Sequence, residues 1–158
     1  HGDTVYNSLG AGARVNVADR EHFLVHARST EDRLHVGKAV QSRLASSTWT
    51  AVVNRPMQRE GRFDGTMNVS VRTDYLAARL ASLVLDDKDI VALVHDDGSF
   101  LARSRDHDQA MVLKLPPERP FLADRQADRG HFRVAGTVDG VARVYAAASA
   151  SAWSPRPC

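Results

Sequence analysis

The stretch Thr48–Leu85, TWTAVVNRPMQREGRFDGTMNVSVRTDYLAARLASLVL, decides how the rest of the chain is placed. After Gly65, the apolar residues Met67, Val69 and Val71 alternate with Thr66, Asn68, Ser70 and Arg72. A period of two with one apolar side predicts a half-buried strand. Thr73 follows as a candidate N-cap, and Asp74 suits the positive end of the helix that starts there. Tyr75, Leu76, Leu80 and Leu83 then recur at helical spacing. Upstream, Trp49 to Met57 reads as a second strand, and Arg59-Glu60-Gly61-Arg62 with Asp64-Gly65 supplies the turn between the two. Two long paired strands followed by a helix form one sheet-and-helix unit, and the remaining segments are placed before and after it.

Before the unit, Val5 to Leu9 reads as a short strand broken by Gly10-Ala11-Gly12. Asn16-Val17-Ala18-Asp19 leads into a helix from about Arg20 to Arg28, with Asp19 as N-cap. Ser29 to Asp32 is a polar loop. Val36 to Leu44 reads as a strand containing Gly37, turned towards Trp49 by Ala45-Ser46-Ser47. After the unit, Asp86-Asp87-Lys88-Asp89 marks a charged junction and the pattern starts again. Ile90 to Val94 and Phe100 to Ala102 are paired strands around His95-Asp96-Asp97-Gly98, whose Asp-Gly suits a hairpin turn. Arg103 to Gln109 reads as a charged loop. A helix is expected over Glu118 to Ala127, with Pro116 and Pro117 at its start and Gly130 after its end. His131 to Ala135 and Val141 to Ala147 form a last hairpin around Asp139-Gly140. The repeated plan predicts an α+β protein of two small lobes, residues 1–87 and 88–158, each with a central antiparallel sheet flanked by helices.

Composition narrows the function classes. The 158 residues are 43% apolar and 25% charged, the balance of a globular chain able to build a core. Three lysines stand against eighteen arginines, scattered and without a basic run, which argues against a nucleic-acid footprint. The single cysteine, Cys158, cannot close an internal disulfide. No apolar run approaches the roughly 18 residues of a membrane span. His1-Gly2-Asp3-Thr4-Val5 reads as the second arm of a hairpin, and Ser154-Pro155-Arg156-Pro157-Cys158 stops where one more strand is expected. The expectation is an excised fragment, lacking the first strand and N-terminal helix of one lobe and the last strand of the other. Exposed strand edges at both places would invite pairing with another chain.

Several motifs in order carry a resemblance. Asp19-Arg20-Glu21-His22-Phe23 resembles the "DR-x-[YH]-F" helix start of the double Cache sensor domains displayed outside the membrane by bacterial receptors. Gly37 to Leu44 is similar to that family's "G-x-x-V-x-S-R" strand, and Trp49 to Arg55 to its "W-x-x-x-x-x-R" strand. Phe63-Asp64-Gly65 with Asp74-Tyr75-Leu76 is similar to its "F-x-G…D-Y-[FL]" strand-to-helix turn. The hairpin Val94 to Ser104 resembles the "DG-x-LLAR" lead-in to the membrane-proximal module, and Val138-Asp139-Gly140-Val141 its late hairpin. The resemblance implies a PAS-like fold and a periplasmic (extracytoplasmic) sensing role in an inner-membrane receptor. It also implies a ligand pocket in the distal lobe, a homodimeric full-length receptor, and an output domain across the membrane. In relatives with such motifs that output is often a GGDEF diguanylate cyclase, less often a histidine kinase or chemoreceptor.

The resemblance also nominates residues. Amino-acid-binding members carry an Arg-x-aromatic-Tyr on the first helix; Arg20, His22 and Phe23 match it in order, with His and Phe in place of the two aromatics. Ser70 stands where those members have an aspartate, so the natural partner of an α-amino group is missing and an anionic or carboxylate ligand is favoured over an amino-acid-like one. A guanidinium grips a carboxylate in a fork; the alternative is that Arg20 pairs with Asp19 or Glu21 to fix the loop. Trp49, Val53 and Arg55 share one strand face, which is either the pocket wall or an arrangement of core and surface. Arg43 adds a third charge if its register allows. Asp74 is either a ligand contact or a helix-start residue. The pocket is expected between the Trp49, Val53 and Arg55 face and the segment Asp19 to Phe23.

His22 and His26 lie at i, i+4, a metal-ligand spacing, but Phe23-Leu24-Val25 lacks the glutamate of a H-E-x-x-H protease and no third ligand is evident. No G-x-S-x-G or phosphate-cradling glycine loop is present. No cofactor, metal or catalytic residue is assigned. The reading is a non-enzymatic ligand-sensing fragment. Its rivals are a small metal-dependent hydrolase using His22 and His26, and a structural module with no ligand.

Overall fold

A computed structural model of the chain describes residues 2–8, 10, 14–43, 48–124 and 129–149. Its longest pairing is antiparallel, between β3 (Trp49–Arg59) and β4 (Arg62–Arg72). Glu60 and Gly61 close this hairpin with φ of 52° and 75°, the two left-handed residues that a tight two-residue turn requires. Asp64-Gly65, expected in the turn, therefore lies within β4. The register slips between Met57 and Gln58, which accommodates the extra residue as a bulge.

Two short strands, β1 (His35–Val36) and β2 (Val40–Gln41), pair with the other edge of β3 and complete a four-stranded sheet in the order β1-β3-β2, with β4 on β3. The single strand expected over Val36 to Leu44 is thus divided. The Gly37 N–H still donates to the Val52 carbonyl at 2.8 Å, but the chain then leaves the sheet until Val40. Leu44 and the Ala45-Ser46-Ser47 turn fall outside the described residues. Val5 to Ser8 form no strand; the pairing near them is a single bridge, Asp3 to Asn16, and Leu9 is not among the described residues.

Helix α1 (Glu21–Ala27) follows an extended Arg20, which occupies the N-cap position with no side-chain cap. Asp19 is drawn instead to Arg43. Helix α2 (Thr73–Ala81) begins directly after β4, with Arg72 at the N-cap. Thr73 is a buried first-turn residue whose hydroxyl donates to the Trp49 carbonyl at 3.3 Å.

The second half opens with β5 (Ala92–Val94) and β6 (Phe100–Arg103), joined through Gly98 at φ 89°. A Cβ on Gly98 would sit 2.8 Å from the Leu115 carbonyl oxygen, so glycine is required on both counts. Part of the expected charged loop is helix α3 (His107–Met111). The helix expected over Glu118 to Ala127 is a single turn, α4 (Pro120–Ala123), with residues 125–127 outside the described part. β7 (Arg129–Ala135) and β8 (Ala142–Ala148) form the last hairpin as expected.

Among the described residues the second half therefore holds two separate two-stranded sheets rather than one central sheet. The chain beside β6 is occupied by the Ser99–Lys114 bridge. The last hairpin instead docks through Arg119, whose guanidinium donates to the Ala135 carbonyl and the Thr137 hydroxyl at 2.8 and 2.9 Å. The hydrophobic cluster of Ala77, Leu80 and Ala102, with Leu76 and Val91 against it, packs α2 onto β6 and joins residues on both sides of position 87. No helix among the described residues is long and apolar enough to cross a membrane.

Candidate functional site

The sidedness of the four-stranded sheet fixes the site. Asn54 donates its amide N–H to the His22 carbonyl of α1, and Phe23 meets Phe63 edge-on with ring centroids 5.4 Å apart. α1 therefore covers the face that carries Thr50, Val52 and Asn54, together with Ser70, which is registered opposite Val52. Alternation sends Trp49, Val53 and Arg55 to the other face. Among the described residues, those three therefore stand across the sheet from Asp19 to Phe23 and do not face them as expected. Spacing showed that they share a face but could not say which, and a strand read one residue out of phase exchanges its faces.

The nominated charges are mostly engaged within the chain. Arg43 forks onto both Asp19 oxygens at 2.8 and 2.7 Å and reaches the Asn16 carbonyl at 2.6 Å. The Arg43 hydrogen bond holds the Asp19 carboxyl down at about 2. Arg55 donates to both Asp32 oxygens at 2.7 and 3.2 Å. Asp74 is paired with Arg72 and accepts the Tyr75 N–H at 2.7 Å, as a helix-start residue does. Ser70 is exposed and Trp49 half-buried. Arg20 is partly buried and, alone of the three nominated arginines, makes no ion pair among the described residues, so the expected alternative of a pair with Asp19 or Glu21 is not realised.

What the sequence did not single out lies directly beneath α1. His26 and Asn54 are each 1% exposed. His35, opposite Asn54 in register, sets its ring edge-on to His26 with centroids 6.0 Å apart. Among the described residues, the buried His26 Nε2, His35 Nε2 and Asn54 Oδ1 have no hydrogen-bond partner. His22, one turn before His26, completes the cluster. A Cβ built on Gly37 would meet the Val52 carbonyl at 3.4 Å, His35 Nε2 at 3.6 Å and His22 Cβ at 4.0 Å, so the seam is closely packed there.

Burial pushes the His22 imidazole below its usual pKa, with Arg20 and His35 adding to the effect against Glu21 and Asp19. Burial also lowers His35; Glu21 opposes this, while His26, His95 and Arg33 add to it. The His22–His26 spacing was the legible signal. Its missing neighbour, His35, arrives through the loop after α1. Among the described residues no group of three or more metal-binding side chains is placed to hold a metal ion.

A second buried polar centre lies in the other half. Arg103, expected in a charged loop, is 3% exposed. It donates to the Arg105 carbonyl, to Asp106 at 2.9 Å and to Asp139 at 2.9 Å. Asp139 also accepts from Arg143, whose hydrogen bond is the main reason its carboxyl lies at about 2. Arg143 in turn donates to the Lys88 carbonyl at 2.9 Å. His107 links this centre to α2, with Nε2 3.2 Å from the Thr73 hydroxyl and Nδ1 accepting the Arg103 N–H at 3.4 Å.

Two open grooves of about 540 Å³ each mark the surface. One is lined by Asp19, Glu21, Leu24, Val25, Arg28 and Lys38 beside α1, and the other runs along the outer ends of β7 and β8. Neither includes any of the nominated residues.

No protein-family model matches the chain, and no curated protein matches it. Solved structures do. The extracellular domain of rpHK1S-Z16, assigned as a histidine kinase, superposes with a TM-score of 0.77 at 20% identity, over 92% of this chain and 60% of that one. The extracellular domain of mmHK1S-Z3, similarly assigned, gives 0.66 at 16% identity over 88% of this chain and 53% of that one. The ligand-binding domain of the Campylobacter jejuni chemoreceptor Tlp3, in complex with 4-methylisoleucine, gives 0.52 at 9% identity over 90% and 55%. The chain shares the fold of these sensor domains and spans between half and two thirds of their length.

Proposed function

We propose that this chain is part of the extracytoplasmic ligand-sensing region of a membrane signalling receptor, facing the periplasm. The observation that carries this reading is the fold likeness to the rpHK1S-Z16 extracellular domain across nine tenths of the chain. The ligand is a small anion or carboxylate, taken up by residues 1–87 at the start of α1. Arg20 supports this, since Arg43 and Arg55 are already neutralised by Asp19 and Asp32. The Tlp3 domain was captured with 4-methylisoleucine, a small carboxylate-bearing molecule. Binding would favour one packing of α1 on the sheet and pass through residues 88–158 to a histidine kinase or diguanylate cyclase beyond the membrane, in a homodimeric receptor.

The internal pairing of Arg43 and Arg55 is also what a structural module without a ligand would show, so the test must separate the two. A thermal-shift screen over small carboxylates and amines comes first, because a ligand that binds only the folded chain raises its midpoint. Calorimetric titration of the best carboxylate against Arg20→Ala follows. Losing a charge-assisted hydrogen bond is expected to weaken binding roughly ten- to a hundredfold, about 1.5–3 kcal/mol, with the unliganded midpoint unchanged. No stabilising carboxylate, or equal affinity in the variant, overturns the reading.

A further inference from the structure

We propose that the imidazole cluster beneath α1 is a proton-operated latch: acidification releases α1 from the sheet and so regulates the site at its start. The inference rests on the reading that α1 borders the ligand site, and concerns how that site is controlled.

The geometry selects the proton. The seam is lined by His22, His26, His35 and Asn54, and beside Gly37 its free space is about that of one methyl group, since a built Cβ would already touch Val52, His35 and His22. The described side chains do not converge on a metal position. Yet two ring nitrogens in the seam, His26 Nε2 and His35 Nε2, lack partners among the described residues, and a proton is small enough to add to such a nitrogen. A protonated imidazole donates from both nitrogens. Here each newly made N–H would be buried, and the unpartnered oxygen beside it among the described residues is that of the Asn54 amide, a dipole and not a charge.

The charged groups that face the cluster oppose protonation or are already engaged. On and before α1, Arg20 is cationic, Glu21 is paired with Lys38 at 3.2 Å, and Asp19 is held by Arg43. From the segment before β1 comes Arg33, paired with Glu31 at 3.3 Å. From the β5–β6 turn comes His95, engaged with Asp97 at 2.9 Å. β3 contributes Thr50, Val52 and Asn54 to this face, none of which titrates. A second charge entering the cluster would also face the first across adjoining rings. The lowered pKa values of His22 and His35 agree with this.

The sign follows. An imidazole whose folded pKa lies below its unfolded value of about 6.5 contributes stability that is present above that value and is lost as pH falls below it. Opening of α1 then takes up protons, and its equilibrium constant rises up to about tenfold per pH unit for each proton bound. The β3–β4 ladder serves as the reference, because the imidazoles lie on α1 and β1 and none lies on either strand of that ladder.

The experiment is amide hydrogen exchange on the unliganded 158-residue chain between pH 7.5 and 5, corrected for intrinsic rates. It reads Phe23, Leu24 and Arg28, whose N–H groups are bonded within α1, against the β3–β4 ladder. Protection of α1 is expected to fall by tenfold or more from pH 6.5 to 5 while the ladder holds, and His22→Gln/His35→Gln is expected to remove that fall. Should the double variant not fold, the wild-type imidazole resonances are followed by nuclear magnetic resonance, and His22 and His35 are expected to titrate below pH 6.5. PH-independent α1 protection, a fall that persists in the double variant, or imidazoles titrating at or above 6.5 overturns the latch. No ligand enters this test. Failure of the carboxylate titration with the latch intact removes the sensing reading alone, and a carboxylate bound beneath a pH-insensitive α1 removes the latch alone.

Discussion

The α1 seam and the Arg103 centre bury polar groups to nearly the same depth but treat them in opposite ways. In the seam, His26 and Asn54 are 1% exposed and leave a ring nitrogen and an amide oxygen unpartnered. At the centre, Arg103 is 3% exposed, and its guanidinium reaches one carbonyl and two carboxylates. A buried charge is tolerated only when paired and hydrogen-bonded. A neutral imidazole or amide can be left incomplete at a smaller penalty of about 1–3 kcal/mol. The difference assigns roles. The Arg103 centre ties β6, the β7–β8 turn and Lys88 into one frame, whereas the seam holds α1 with its polar groups only partly satisfied. Local opening is expected to begin at the seam.

Removing the guanidinium is the strongest way to break this contrast. Arg103→Ala leaves Asp106 to solvent and Asp139 to Arg143, so the expected cost is that of lost hydrogen bonds to charged groups, about 2–3 kcal/mol. Denaturant unfolding should show that loss, and the His107–Thr73 hydrogen bond should loosen with it. Arg103→Lys should recover only part, because an ammonium cannot fork onto two carboxylates. A loss below about 1 kcal/mol for Arg103→Ala would place this arginine with ordinary surface pairs and end the comparison. Asp139 adds an acid limb. Its folded pKa of about 2 lies below the usual 3.8, so its contribution is present above 3.8 and is lost as pH falls towards 2.

A smaller effect is expected at the seam. Asn54→Ala removes the donor to the His22 carbonyl but also the unpartnered Oδ1. The two act in opposite directions, which leaves a net loss of about 1 kcal/mol. The loss should concentrate in α1, read as faster exchange at Leu24 and Arg28 with little change in the β3–β4 ladder. Uniform destabilisation of the sheet would show that Asn54 supports the whole first half.

The parts legible in the sequence were those dictated by local periodicity. The alternation of Met67, Val69 and Val71, the Leu76–Leu80 spacing and the Asp139-Gly140 turn each fix structure through near neighbours, and β4, α2 and the last hairpin are where they were expected. Asn54 and Arg103 were not legible because their state depends on distant partners. Asn54 sits in an apolar strand like a surface interruption, and only the placement of α1 buries it. Arg103 lies in a run of charges, and its partner Asp139, 36 positions away, cannot be read from that run. Spacing alone pairs His22 and His26 on one helix face; the third imidazole comes from β1. The sidedness of β3 was beyond reach for the same reason, since it is α1, and no feature of β3 itself, that makes one face the inner one.

Arg55 sharpens that last point with the smallest effect of all. It shares a face with Trp49 and Val53 and was expected to charge the pocket, yet α1 lies on the opposite face and the guanidinium is bound to Asp32. The two side chains are 54% and 57% exposed, and exposed pairs of this kind contribute about 0–1 kcal/mol once solvent screening and side-chain entropy are counted. Arg55→Ala should therefore shift the denaturation midpoint by no more than about 0.5 kcal/mol in free energy. It should also leave the affinity of any carboxylate that needs Arg20 unchanged, because Arg55 is separated from α1 by the thickness of the sheet. Calorimetry on Arg20→Ala and Arg55→Ala side by side decides it. If Arg55→Ala weakens the same ligand as much as Arg20→Ala does, both arginines face one pocket. The sidedness inferred from Asn54 and Phe63 would then have to be reversed.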